Sequence, residues 1–176
     1  VTDFVREYSN ALYSLSEEEG LQEEFNASLE EVTKLLDEQP DFVRLLSSYA
    51  LTKGERDDIA EQVFRGRIHD YLLNFIKVLI DRNAFQTFGD CARAYHDRYN
   101  DAHGITDAYV TAPMPLKADT IKALTAKLQQ IAGRGVVLHV SIDKTVIGGL
   151  RVLMDGRRYD NTIQTRLEQL RRELVR

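Results

Sequence analysis

Apolar residues recur at helical spacing as far as Gly104 and then switch to strand-like alternation. Thr2 and Asp3 can cap a first helix whose stripe is Phe4, Tyr8, Ala11, Leu12 and Leu15. Ser16-Glu17-Glu18-Glu19 fits a capping box and predicts the start of a second helix. Its apolar face is Leu21, Phe25, Leu29, Val32, Leu35 and Leu36, and the acidic run then sits favourably at a helix N-terminus. Pro40 opens a short third helix holding Phe42, Val43, Leu45 and Leu46. Thr52-Lys53-Gly54-Glu55 is a second capping box, ahead of Ile59, Val63 and Phe64. A fifth helix spans Ile68 to Asp81. A sixth, carrying Phe85, Phe88, Ala92, Tyr95 and Tyr99, ends near Asp101, and Gly104 stops it. The short polar joins predict antiparallel neighbours in a six-helix bundle.

Beyond Gly104, Ala108 to Ala112 alternates and is rich in β-formers, so it reads as a strand ended by Pro113 and Pro115. Ile121, Leu124, Leu128 and Ile131 mark a helix that Gly133 closes. Two apolar runs, Val136 to Ile142 and Val146 to Met154, flank Asp143-Lys144, and together they predict a hairpin. Gly148 and Gly149 fall early in its return strand, where glycine marks a bulge or a close backbone approach. Ile163, Leu167, Leu170 and Leu174 form the stripe of a last helix. The expected fold class is α plus α/β. Residues 1–104 form a six-helix N-terminal bundle, and residues 105–176 a small α/β domain in the order strand-helix-strand-strand-helix. A core of about 70 residues is marginal alone and commonly leans on a partner.

Helix five departs from an ordinary surface helix. With about 100° per residue, Tyr71, Leu72, Leu73, Phe75, Ile76, Val78, Leu79 and Ile80 span roughly 220°. Only Asp70, Asn74, Lys77 and Asp81 break the arc. So wide an arc means either central burial or an apolar face kept for a partner. The first helix is also broad. Side by side, the two would form a groove that accepts an amphipathic helix.

Composition narrows the function. With 176 residues, 43% of them hydrophobic, the chain can form one or two ordinary domains. No apolar run approaches the ~20 residues of a membrane span. Val1 to Arg6 has neither a charged n-region nor an apolar h-region, so no secretory signal is expected. Cys91 is the sole cysteine, which offers no disulfide framework and fits a reducing compartment. The net charge of −5 is unevenly placed. Residues 1–104 hold 21 acidic and 11 basic side chains, and residues 105–176 hold 7 and 12, giving −10 and +5. Two domains facing different partners would show such a split.

Catalytic patterns are missing. Nothing fits G-x-x-x-x-G-K-[ST] or G-x-S-x-G. His69, His96, His103 and His139 lack the i, i+4 spacing of a zinc pair. Asp57 and Asp58 are adjacent, and adjacent helical side chains diverge by about 100°, which does not make a working dyad. No catalytic residue, cofactor or metal is expected, and the pattern favours binding.

Several segments carry a family resemblance. Ile142-Asp143-Lys144, Val146-Ile147-Gly148-Gly149-Leu150, Asp155-Gly156 and Asp160, before Arg166-Leu167, resemble the C-terminal signature of the delta subunit of rotary ATP synthases. That family includes the mitochondrial oligomycin-sensitivity-conferring protein. Tyr8-Ser9-Asn10-Ala11-Leu12-Tyr13 resembles its first-helix motif. Asn74 to Leu79 with Asp81-Arg82-Asn83 resembles its fifth. Val110-Thr111-Ala112 with Pro115-Leu116 resembles its interdomain strand. One departure is Asp160-Asn161-Thr162, where the family usually has Asp-Gly-Ser.

The resemblance implies a non-catalytic stator subunit at the cytoplasmic face of a bacterial plasma membrane. Its N-terminal domain would hold the amphipathic N-terminal helix of an alpha subunit in a groove lined by Tyr8, Ala11, Leu12, Phe75, Val78 and Leu79. Its C-terminal domain would bind the C-terminal ends of the b subunits of the peripheral stalk, with Gly148 and Gly149 as a structural hallmark. It implies no nucleic-acid partner. The rival reading, an RNA-binding regulator with a helical bundle and a basic α/β domain, lacks a G-x-x-G loop and an aromatic strand platform.

Overall fold

The structure, a computed structural model, describes residues 2–146 and 148–160. The last helix expected around Ile163 to Leu174 lies outside them. The chain divides into two compact units, Val1–Tyr99 and Asn100–Arg176.

The helical elements are α1 (Asp3–Glu19), α2 (Gln22–Glu38), α3 (Pro40–Leu46), α4 (Lys53–Phe64), α5 (Asp70–Asp81), a 3-10 turn (Phe85–Thr87) and α6 (Phe88–His103). Thr2 caps α1 through its hydroxyl to the Val5 amide, Pro40 begins α3, and Thr52 with Glu55 closes the capping box of α4.

Ser16 does not start α2. It lies buried inside α1, and its hydroxyl bonds the Tyr13 carbonyl at 2.7 Å. The stop is Gly20, with φ +70°. The Gly20 amide bonds the Glu17 carbonyl, and the Leu21 amide bonds that of Ser16, which is a Schellman ending. Glu17, Glu18 and Glu19 therefore crowd a helix C-terminus, where the macrodipole disfavours them. The buried face of α1 also differs from the expected stripe. Val5, Ser9, Leu12, Tyr13 and Ser16 point inward, whereas Phe4, Tyr8 and Leu15 are half-buried and Ala11 is exposed.

Tyr95 fixes the α1–α2 turn to α6. Its hydroxyl donates to the Gln22 carbonyl at 3.1 Å and lies 2.7 Å from Ser16 Oγ. Burial pushes this phenol up to about 12. A second fixture is Arg56, buried in α4. Its guanidinium donates to the Leu46 carbonyl, at the end of α3, and to Asn83 Oδ1 at 3.1 Å. Asn83 itself has φ +52° and ends α5 in another Schellman turn, with the Ala84 amide on the Leu79 carbonyl.

The second unit contains β1 (Ile105–Ala112), α7 (Ala118–Ala132), β2 (Gly135–Ile142), β3 (Arg151–Met154) and β4 (Arg157–Asp160), with sheet order β2-β1-β3-β4. The expected β2–β3 hairpin does not form. β2 lies parallel to β1 through the α7 crossover, and β3 lies antiparallel on the other side of β1. The hairpin is β3–β4, turned at Asp155 (φ +49°) and Gly156 (φ +70°). Two positive φ angles define the tight turn whose twist matches the strands. Gly148 and Gly149 stand in the connection from β2 to β3, outside any strand, with φ +59° and +89°. Their role is backbone conformation in a turn rather than a kink within a sheet. Ala108, Val110, Val136, Val152, Met154 and Leu128 form the core of this unit.

Candidate functional site

α5 is mostly a core helix. Leu72, Leu73, Phe75, Ile76, Leu79 and Ile80 are buried and cover about 160° of the wheel. Central burial thus uses most of the wide arc. Phe75 and Leu79, expected to line a groove, are interior residues, and so is Leu12 on α1. A side chain without accessible surface has none to offer a partner. The apolar arc outruns the buried arc only at one edge, where Tyr71 is half-buried and Val78 is 40% exposed.

The far side of α5 is tied to α4. Lys77 Nζ meets Glu61 Oε1 at 2.7 Å, and Lys53 Nζ meets Asp81 at 3.6 Å. The Lys77 ammonium, donating to Glu61, holds its carboxyl below the usual range. Val78 therefore lies between a polar stripe engaged with α4 and the buried face of its own helix.

α1 shows the same surplus. Its buried face centres on Leu12 and Ser16. Phe4, Tyr8, Ala11 and Leu15 share an adjacent stripe at spacings of four, three and four residues, so they overlie one another along the helix. The Phe4 and Tyr8 rings stack with centroids 4.1 Å apart. The first turn of α5 reaches the last turn of α1 where the Tyr71 hydroxyl donates to Glu19 at 3.4 Å. Of the six expected site residues, Tyr8, Ala11 and Val78 are thus available at the surface and Leu12, Phe75 and Leu79 are not. Phe4, Leu15 and Tyr71 belong with the available set. The sequence carried that signal in the width of both stripes, but spacing alone does not say which edge is covered.

Several ionisable groups elsewhere are engaged within the fold. Asp57 is pushed up by burial and by the Asp81 charge, while neighbouring Asp58 is exposed, so they form no dyad. His69 caps α5 by accepting the Tyr71 amide on Nδ1, His96 meets Asn26 at 2.9 Å, and His139 meets Asp107 at 2.7 Å. Burial pushes the Cys91 thiol up, which disfavours the reactive thiolate. Among the described residues no group of three metal-ligating side chains occurs, and no helix is long and apolar enough to cross a membrane.

Comparison with known proteins adds an independent finding. The family described as ATP synthase delta (OSCP) subunit matches residues 5–174. The chain is 29% identical over 168 residues to ATP synthase subunit delta of Clostridioides difficile, covering 95% of this chain and 93% of that one. It is 30% identical over 172 residues to ATP synthase subunit delta of Myxococcus xanthus, covering 96% and 94%. Its fold resembles a chain of the cryo-EM structure of the Toxoplasma gondii mitochondrial ATP synthase hexamer. There the TM-score is 0.74 at 21% identity, over 99% of each chain.

Proposed function

The chain belongs to the ATP synthase delta (OSCP) subunit family, and from that premise we propose that its helical unit grips the alpha subunit while its α/β unit grips the b subunits. The protein is a stator subunit of the F-type ATP synthase, and it associates with other subunits of that complex. Family membership decides against the RNA-binding reading. A stator performs a mechanical task. Rotation of the central stalk does work on the catalytic sites only if the head is kept from turning with it. The subunit that couples head to stalk needs two firm interfaces and no catalytic step of its own. It sits with the complex at the cytoplasmic face of the membrane, held there through its neighbours.

The observation that carries the alpha-subunit assignment is the surplus apolar stripe on both helices: Phe4, Tyr8, Ala11 and Leu15 on α1, Tyr71 and Val78 on α5. An amphipathic helix laid along them buries its apolar face without disturbing the core. This groove is narrower than six lining residues would make it, because Leu12, Phe75 and Leu79 remain inside. The b-subunit assignment is supported by the basic balance of residues 105–176. Titration calorimetry of the full chain with the N-terminal peptide of the cognate alpha subunit tests the first interface. Saturable binding that Val78→Asp weakens at least tenfold is expected. Unchanged binding by a folded Val78→Asp protein overturns this placement.

A further inference from the structure

The surplus apolar stripe on α1 and α5 has unlike ends. Along α1, Glu18 and Glu19 lie three and four residues beyond Leu15, one to each side of the stripe, and both are exposed. Glu17 lies about 160° round the helix from Leu15 and faces away from the stripe. α5 starts at this same end, where the Tyr71 hydroxyl donates to Glu19, and its first turn adds exposed Asp70. No described residue forms an ion pair with Glu18 or Asp70. The opposite end of each helix carries a cation. Near the start of α1, Arg6 is paired with Asp3 at 2.8 Å, and with Glu7 the three sum to −1, against −3 for Glu17, Glu18 and Glu19. Arg82 closes α5 four residues beyond Val78, roughly 16 Å along the axis from Tyr71.

The free fold gains nothing from the acidic end. Carboxylates in the last turn oppose the negative pole of α1, and no basic residue stands there to offset them. Neutral side chains would suit the isolated helix better. Charges held against local stability are expected where a surface serves a partner. A helix laid along the stripe brings a dipole of its own, positive at its N-terminus. With that end against Glu18 and Glu19, its free amides and any Lys or Arg in its first turns meet opposite charge. Turned round, its negative pole would abut the same carboxylates.

We propose that the helix occupying the α1–α5 stripe lies with its N-terminus at the Glu18–Glu19 end, and that Glu18 sets this direction. The identity of the occupant as the alpha-subunit helix rests on the reading above. Amide NMR of the full chain, saturated with the N-terminal peptide of the cognate alpha subunit carrying a nitroxide at one end or the other, tests the direction. A label on the peptide N-terminus broadens the amides of Glu17, Glu18, Glu19 and Gly20 and leaves those near Asp3 sharp. A label on its C-terminus does the reverse. Glu18→Gln lowers affinity about two- to fivefold at low ionic strength, and the difference vanishes in about 1 M salt. The same variant raises the melting temperature of the free chain by about 1–8 °C, because it relieves the pole of α1. Exchanged broadening patterns, or equal broadening of both ends by one label, overturn the proposal. So does unchanged affinity of Glu18→Gln at low salt, or a lower melting temperature, since the carboxylate would then serve the fold. A peptide that binds without broadening either helix, or does not bind, defeats the alpha-subunit placement; one bound in the stripe but reversed defeats the direction alone.

Discussion

Ala11 and Leu12 are neighbours in α1, yet the same substitution should have opposite consequences at the two. Ala11 is exposed and Leu12 is buried. In the free protein, Ala11→Asp gives up about 0.5–0.7 kcal/mol of helix propensity. The like charge of Glu7, one turn earlier, adds about 0.2–0.5 kcal/mol. The loss of roughly 1 kcal/mol should lower the melting temperature by about 4–8 °C for a unit of this size. Leu12→Asp removes a buried side chain, worth about 2–5 kcal/mol, and leaves a carboxylate in its place. That sum rivals the stability of a typical domain, about 5–15 kcal/mol, and the helical unit should unfold or nearly so. In the complex the ranking reverses. An apolar helix covering Ala11 would force the new carboxylate out of water, at about 2–4 kcal/mol, or roughly 30- to 1000-fold in affinity. Scanning calorimetry of each variant and titration with the alpha-subunit peptide read the two quantities separately. A folded Ala11→Asp protein that binds normally refutes the site on α1. An Ala11→Asp protein that unfolds refutes the orientation of the helix.

Three further outcomes follow from the fixtures described above. Tyr95 holds its proton to about pH 12, whereas the unfolded phenol loses it near 10, so stability is complete below pH 10 and falls by about 2 kcal/mol between 10 and 12. Tyr95→Phe should abolish that part of the alkaline loss, and an unchanged profile in urea melts would refute the assignment. Asn83→Ala should cost about 1–3 kcal/mol, because it strands a guanidinium proton of Arg56 and loses a residue suited to φ +52°. Asn83→Gly keeps the backbone and should lose only the first part; equal losses would show that the backbone conformation does not matter, and no loss in Asn83→Gly would show that the Arg56 bond does not. Gly149→Val places a β-branched side chain at φ +89° and should destabilise the sheet unit by about 1–3 kcal/mol, read as faster exchange of the β1–β2 amides with the helical amides unchanged.

Most helices were legible because their signals are local. Pro40, the Thr52–Glu55 box and the closing glycines 104 and 133 act within a few residues of where they stand. Ser16 misled for the same reason. Its spacing to Glu19 satisfies the capping pattern, but the stronger determinant is Gly20, and the serine hydroxyl is engaged by a tyrosine 79 residues away. The sheet was misread because pairing is not local. Two apolar runs around Asp143-Lys144 look like a hairpin, yet both strands choose β1, and the turn signal lay further on at Asp155-Gly156. In the candidate groove, the width of the stripes was readable, but the side on which each helix meets its neighbours was not. That is why Leu12, Phe75 and Leu79 moved into the core while Tyr8, Ala11 and Val78 stayed out.

The central place of β1 has a consequence for synthesis. β1 leaves the ribosome before either strand it pairs with, since β2 ends at Ile142 and β3 at Met154. At about 5–20 residues per second, Val110 waits roughly 2–8 s before its partner Val152 is made. Until β2 is made an apolar strand with two open sides follows a helical segment already long enough to collapse, and one side stays open until β3 is made. The nascent chain is then most exposed to misassociation, and a chaperone or the subunit it will later join would have most effect there. Slowing translation between Ala112 and Val152 should lower the soluble yield more than the same delay placed within α1 to α5.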